Sequence, residues 1–171
     1  MKKPKRQHPT DEKREYVTIS GSGPSVRDFK GRVDVATKKF SVPADYLCAR
    51  HQAWYYKKRH EDFTGFMLYK AHATPNNKYP VETIPNRWMA DWKYWDSYFL
   101  SFNPKNQNKK PSVGLCTVFC VVERWKPDKI GLIGFDNVLD GHRNWLHDSN
   151  TEKRCIESLA TIIDLRSSAG A

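Results

Sequence analysis

Pro111-Ser112-Val113-Gly114-Leu115 is a small-residue turn, with Ser112 placed to cap a helix. Leu115, Val118, Phe119, Val122 and Trp125 recur on one face of that helix until Pro127 stops it. Residues 130–135 are then too short and too apolar for anything but a buried strand, which runs into Gly134-Phe135-Asp136-Asn137. A buried helix followed at once by a buried strand belongs in an α/β sheet. In such sheets ligands sit where strands end and helices begin, because helix amides and loop residues converge there.

With 171 residues the chain can build one domain with a substantial core and is short for two. Hydrophobic residues at 39% and aromatic residues at 13% argue for a folded protein rather than a disordered one. No apolar run approaches the roughly 18 residues that span a bilayer. Met1-Lys2-Lys3-Pro4-Lys5-Arg6 leads into no apolar signal core, so the expected setting is the cytoplasm. The formal charge of +10 predicts attraction to polyanions, whether nucleic acid, a phosphorylated ligand or an anionic membrane surface, without choosing among them. Cys48, Cys116, Cys120 and Cys155 lie in apolar stretches with no zinc-knuckle pair, and they read as reduced thiols.

Residues 1–15 carry almost nothing to bury and read as a flexible basic arm, residues 16–166 as a single domain, and residues 167–171 as a fraying tail. Tyr16-Val17-Thr18-Ile19 favours a strand and enters Gly21-Ser22-Gly23-Pro24-Ser25. Glycines at such a turn let backbone N–H groups approach a phosphate, although a plain tight turn has the same composition. The turn lacks the third glycine of the dinucleotide fingerprint and the lysine of a Walker loop, which argues against both.

Further along, the pattern predicts a second strand over 33–37, a helix over 44–60, a strand over 63–73 with Phe66, Leu68 and Ala71 inward, and a loop over 74–80. Trp88, Met89, Trp92, Trp95 and Phe99 fall on one face of a helix, either a core face or, beside Arg87 and Lys93, a surface for stacking bases. Residues 103–110 form a polar basic loop. A last helix is expected over 151–165, opened by a capping box between Ser149 and Glu152, with His147 at the loop-to-helix junction before it. His51, His60 and His72 show no partner pattern.

Three of these blocks together resemble the sialyltransferases, both the animal enzymes and a smaller bacterial family. The Gly21 to Val26 segment after a strand looks like the bacterial family's opening Gly-Asn-Gly-Pro-Ser loop. Pro111 to Leu115, the apolar helix and the strand ending at Gly134-Phe135 look like the small sialylmotif. His147-Asp148-Ser149-Asn150-Thr151-Glu152 is similar to the very small motif, a His followed five residues later by an acid.

The resemblance implies a three-layer Rossmann-like α/β fold with a mostly parallel sheet, reduced in size because the chain is shorter than family members. It implies a glycosyltransferase that takes a nucleotide-activated, CMP-linked sugar as co-substrate and transfers it with inversion to a glycan or other hydroxyl acceptor, using no metal and no further cofactor. His147 is then the candidate general base, since histidine can take a hydroxyl proton at neutral pH. The nucleotide-binding candidates are Gly21, Ser22, Gly23, Ser25, Lys38, Ser112, Gly114, Gly134 and Asp136. Ser22 stands where the family has Asn. Lys38, in Thr37-Lys38-Lys39, falls where the bacterial family offers an Asn to the nucleotide. The alternatives of a different class are a nucleic-acid-binding protein, a catalytically silent nucleotide-binding relative, or an enzyme that glycosylates modified DNA.

Overall fold

A computed structural model describes residues 12–37, 42–49, 62–70, 84–102, 110–141 and 147–166. Its centre is a seven-stranded, all-parallel sheet in the order β5-β4-β3-β2-β1-β6-β7. The strands are β1 (Tyr16–Ser20), β2 (Val33–Thr37), β3 (Ala44–Ala49), β4 (Gly65–Leu68), β5 (Arg87–Met89), β6 (Lys129–Ile133) and β7 (Thr161–Asp164). The helices are α1 (Trp92–Phe102), α2 (Val113–Trp125), α3 (Asp136–Asp140) and α4 (Ser149–Glu157), and a 3-10 turn at Pro24–Asp28 links β1 to β2. This is the α/β Rossmann-like fold that the motif pattern implied.

The sheet is buried on both faces, as parallel sheets require. Alternation along the strands sends Val17, Ile19, Val35, Cys48, Met67, Ile130 and Leu132 into one apolar cluster with α1, α2, α3 and α4. The alternate residues Ala36, Leu47, Phe66, Leu68 and Ile133 enter a second cluster, backed in part by Val26 and Phe29. Helix α2 lies across β1 to β4 and is buried along nearly its whole length. The Ser112 hydroxyl caps it by accepting from the Leu115 amide at 3.2 Å, and Lys126 ends it in a left-handed conformation just before Pro127. Glu123, buried near its far end, accepts from the Asp91 amide at 2.8 Å and the Trp95 indole at 3.1 Å, tying α2 to the start of α1.

Several local expectations are corrected. The segment expected as a helix over 44–60 opens instead as β3, which pairs with β2 and β4, while 50–61 lies outside the described residues. Of the strand expected over 63–73, Gly65–Leu68 form β4 with all four residues buried, and 71–73, Ala71 among them, lie outside the described residues. The aromatic run expected as one helix is divided: Trp88 and Met89 are the edge strand β5, and α1 begins at Trp92. Helical spacing survives in Trp95 and Phe99, both buried, whereas Trp88 is buried through the sheet.

The last expected helix is also divided. It ends at Glu157, and Ile162 and Ile163 fall in β7, where β-branched side chains fit a pleated surface better than a helix. All four cysteines are buried free thiols, with the Cys48 and Cys120 sulfurs 3.8 Å apart. Before β1 the chain is already held: the Arg14 amide donates to the Trp125 carbonyl at 3.0 Å and its guanidinium lies 3.9 Å from the Trp125 ring centre. Among the described residues no helix is long and apolar enough to cross a membrane.

Candidate functional site

Strands β2 to β5 extend the sheet to one side of β1, and β6 and β7 extend it to the other. The point where strand order reverses, between β1 and β6, leaves a crevice at the carboxyl ends of the strands. A cavity of about 430 Å³ lies there. It is walled by the turn after β1 (Gly21–Pro24), Thr37 at the end of β2, the start of α2 (Ser112–Gly114), the residues after β6 (Gly134–Val138), and His147, Ser149 and Glu152 around the start of α4. Of the candidates named from sequence, His147, Gly21, Ser22, Gly23, Ser112, Gly114, Gly134 and Asp136 all line it. Ser25 lies immediately behind the wall, and Lys38 is outside the described residues.

The turn after β1 is bound tightly to the exit of β6. The Gly21 amide donates to the Ile133 carbonyl and the Gly23 amide to the Gly134 carbonyl, both at 2.7 Å. Ser25 donates to Asp136 Oδ1 through its hydroxyl at 2.8 Å and its amide at 3.3 Å, and its Oγ accepts from the Gly134 amide at 2.9 Å. Gly134 has φ +76°, and a Cβ there would lie 2.5 Å from Val26 Cγ1 and 2.7 Å from the Gly21 carbonyl oxygen. Gly114 lets the first turn of α2 lie against the Phe135 ring, where a Cβ would be 2.7 Å from the nearest ring carbon.

Composition alone suggested a turn whose amides reach out to a phosphate. In the fold, most of those amides bind the protein itself. Among the described residues several cavity-lining amides have no acceptor: those of Phe135, Asp136, Asn137, Val138, Ser149, Ser22, Val113 and Gly114. The positive end of the α2 dipole lies with the last two.

His147 is half-buried. Its Nδ1 lies 2.7 Å from the Lys110 carbonyl oxygen. A carbonyl only accepts, so Nδ1 carries the proton and Nε2 is left as the basic nitrogen. Glu152 does not form the expected capping box. Asp148 caps α4 through the Thr151 amide at 3.2 Å, and the Glu152 carboxylate instead takes the Ser112 amide at 2.8 Å and the Ser112 hydroxyl. One of its oxygens is 4.0 Å from His147 Nδ1. The carboxyl therefore joins α4, which His147 precedes, to the start of α2.

Burial pushes the Glu152 carboxyl up to about 7, against the Ser112 hydrogen bonds that favour its ionised form and with a smaller push from Asp148. A carboxyl raised in the folded state binds more protons than in the unfolded chain between its two pKa values. Stability therefore falls as pH rises from about 4.5 to about 7 and levels off above, by about 3 kcal/mol from this group. Urea unfolding at pH 5 and pH 7.5 should show that decline in the wild-type chain and a shallower one in Glu152→Gln. Equal slopes in the two proteins would show that Glu152 is not the titrating group.

Thr37, Asn137 and Ser149 also line the cavity and are not among the site candidates named from sequence. The Thr37 and Ser149 side chains, 4% and 2% exposed, have no hydrogen-bond partner among the described residues. A polar residue closing a strand, as Thr37 does, was the available signal; Ser149 was marked only as a helix cap, and nothing local marked the Glu152–Ser112 link.

An all-parallel α/β sheet with its cavity at the strand-order reversal is the architecture of Rossmann-like nucleotide-binding proteins. The fold is similar to that of a solved variant of the sialyltransferase CST-II in complex with CMP, with a TM-score of 0.56 at 13% identity over 91% of this chain and 82% of that one. It is also similar to the sialyltransferase CstII from Campylobacter jejuni in complex with cytidine-5'-monophosphate, with a TM-score of 0.53 at 16% identity over 90% and 80% of the two chains. No protein-family model and no curated protein matches the sequence.

Proposed function

We propose that this chain is a glycosyltransferase that moves a sugar from a CMP-linked donor to a hydroxyl acceptor with inversion. The observation that carries the reading is the convergence of three sequence blocks, far apart in the chain, on one cavity at the strand-order reversal. The likeness of the fold to CMP-bound sialyltransferases supports it.

His147 Nε2 takes the acceptor hydroxyl proton as the acceptor oxygen bonds to the anomeric carbon. The glycosyl–phosphate C–O bond breaks on the opposite face, and the departing phosphate takes the electron pair. The Val113 and Gly114 amides and the helix dipole stabilise the charge that develops there. Ser22, Thr37 and Ser149 supply neutral donors around the nucleotide, while Gly21, Gly23, Gly134 and the Ser25–Asp136 pair hold the cavity's shape. The nucleotide sugar enters as a co-substrate, and the mechanism calls on no metal.

Thermal unfolding with a panel of nucleoside monophosphates tests the reading. A ligand bound only to the folded state at a hundred times its Kd stabilises by about 2.7 kcal/mol. In a chain of this size that raises Tm by roughly 5–10 °C. CMP should give such a shift. If no nucleotide moves Tm, while DNA binds with an affinity that falls steeply with salt, the nucleic-acid-binding reading replaces this one.

A further inference from the structure

We propose that Glu152 is a proton acceptor coupled to anion binding: when a phosphodiester settles on the Val113 and Gly114 amides, the adjacent carboxylate takes up a proton from solvent. The inference rests on the reading of the cavity as a nucleotide-sugar site.

The geometry places a fixed negative charge where the ligand must bring another. Glu152 is 1% exposed, lines the cavity, and holds both donors of Ser112, the residue directly before those two amides. Like charges that close, with little water between them, repel strongly. No Lys or Arg among the described residues pairs with Glu152.

The surrounding groups leave the carboxyl as the one to yield. On its own helix, Asp148 adds negative charge and Cys155 is a buried thiol pushed up to about 12. From the preceding segment His147 approaches to 4.0 Å with its Nδ1 proton directed to the Lys110 carbonyl, and the Lys110 residue itself is exposed. Across the cavity Asp136 accepts from Ser25 and faces Arg166 at 3.9 Å, and Asp140 is paired with the same Arg166. Burial has already brought Glu152 to about 7, so a modest added repulsion tips it to the neutral form near physiological pH.

The junction with Ser112 survives that change. A neutral carboxyl still accepts the Ser112 amide through its carbonyl oxygen, and its O–H donates to Ser112 Oγ. The unpartnered Thr37 and Ser149 hydroxyls at the same wall mark the place where a polar ligand completes the hydrogen bonding.

The probe is the methyl phosphodiester of CMP, whose single negative charge does not change between about pH 6 and 9. Its binding heat is measured at pH 7.5 in PIPES and in Tris, buffers of very different ionisation enthalpy. The expected result is uptake of about half to one proton per ligand bound, with affinity weakening up to about tenfold per pH unit between pH 7.5 and 9. Glu152→Gln should bind the probe with no uptake and a flat pH profile, and His147→Asn should keep the uptake. Binding without uptake, or uptake that persists in Glu152→Gln, overturns the inference while leaving the nucleotide site intact. If Glu152→Gln does not fold, loss of uptake in His147→Asn overturns it by assigning the proton to the histidine. If neither CMP nor the phosphodiester binds at all, the proposed function fails first and this inference with it.

Discussion

His147→Ala should lower turnover by about 10²- to 10⁴-fold, the usual contribution of a positioned general base, while CMP binds nearly as tightly as before. The separation follows from where the side chain lies. His147 shares the cavity, but the phosphate is assigned to the amides of α2, and His147 Nδ1 is hydrogen-bonded to the backbone of Lys110. Removing the imidazole takes away a proton acceptor and leaves the α2 start, the Ser112–Glu152 junction and the turn after β1 in place. Single-turnover kinetics beside calorimetric CMP binding make the comparison. Turnover within a few-fold of wild type would remove His147 from the chemistry, and loss of CMP binding in parallel would make its role structural.

Gly134→Ala should be among the most damaging single-methyl changes in the protein. The backbone there is left-handed, and the new Cβ would be driven against Val26 and the Gly21 carbonyl, where the turn after β1 is bonded to the end of β6. Left-handed strain and forced overpacking together cost about 2–5 kcal/mol. At this chain length that is a fall in Tm of roughly 4–20 °C. CMP binding should weaken as well, because the same shift opens the cavity wall.

Gly141→Ala is the matched control. Its φ is also left-handed, at +73°, but the nearest atom to a Cβ is the side-chain oxygen of Asn150 at 3.0 Å, which can move. It should cost about 1 kcal/mol and leave binding unchanged. Equal effects at the two positions would mean that the close approach of Gly134 to the first turn does not hold the site together.

The first strand, the Gly-rich turn, the capped helix at Ser112 and the apolar strand before Gly134 were all legible because their determinants are local. β-branched runs, a serine cap, a proline stop and a glycine at a left-handed position act within a few residues, and tertiary contacts reinforced them. Local pattern and fold part where local and long-range preferences compete. β3 and β5 are helical by spacing but strands by pairing, and a backbone ladder offered by a neighbouring strand outweighs a periodicity. The Ile162-Ile163 pair continued a helical stripe on paper, yet it lies beside β6 in a parallel ladder.

The site divides along the same line. Much of the cavity's lining could be read from the chain, because small residues, a histidine and an acid stand at the ends of recognisable elements, while Thr37, Asn137 and Ser149 were not among the candidates. The work each residue does could not be read. Gly21, Gly23 and Ser25 looked like open donors and are bound to β6, while Glu152 satisfied a local capping rule and serves a serine forty residues away. A hydrogen-bonding group has a fixed capacity but no fixed partner, and the folded sheet decides which neighbour comes within reach.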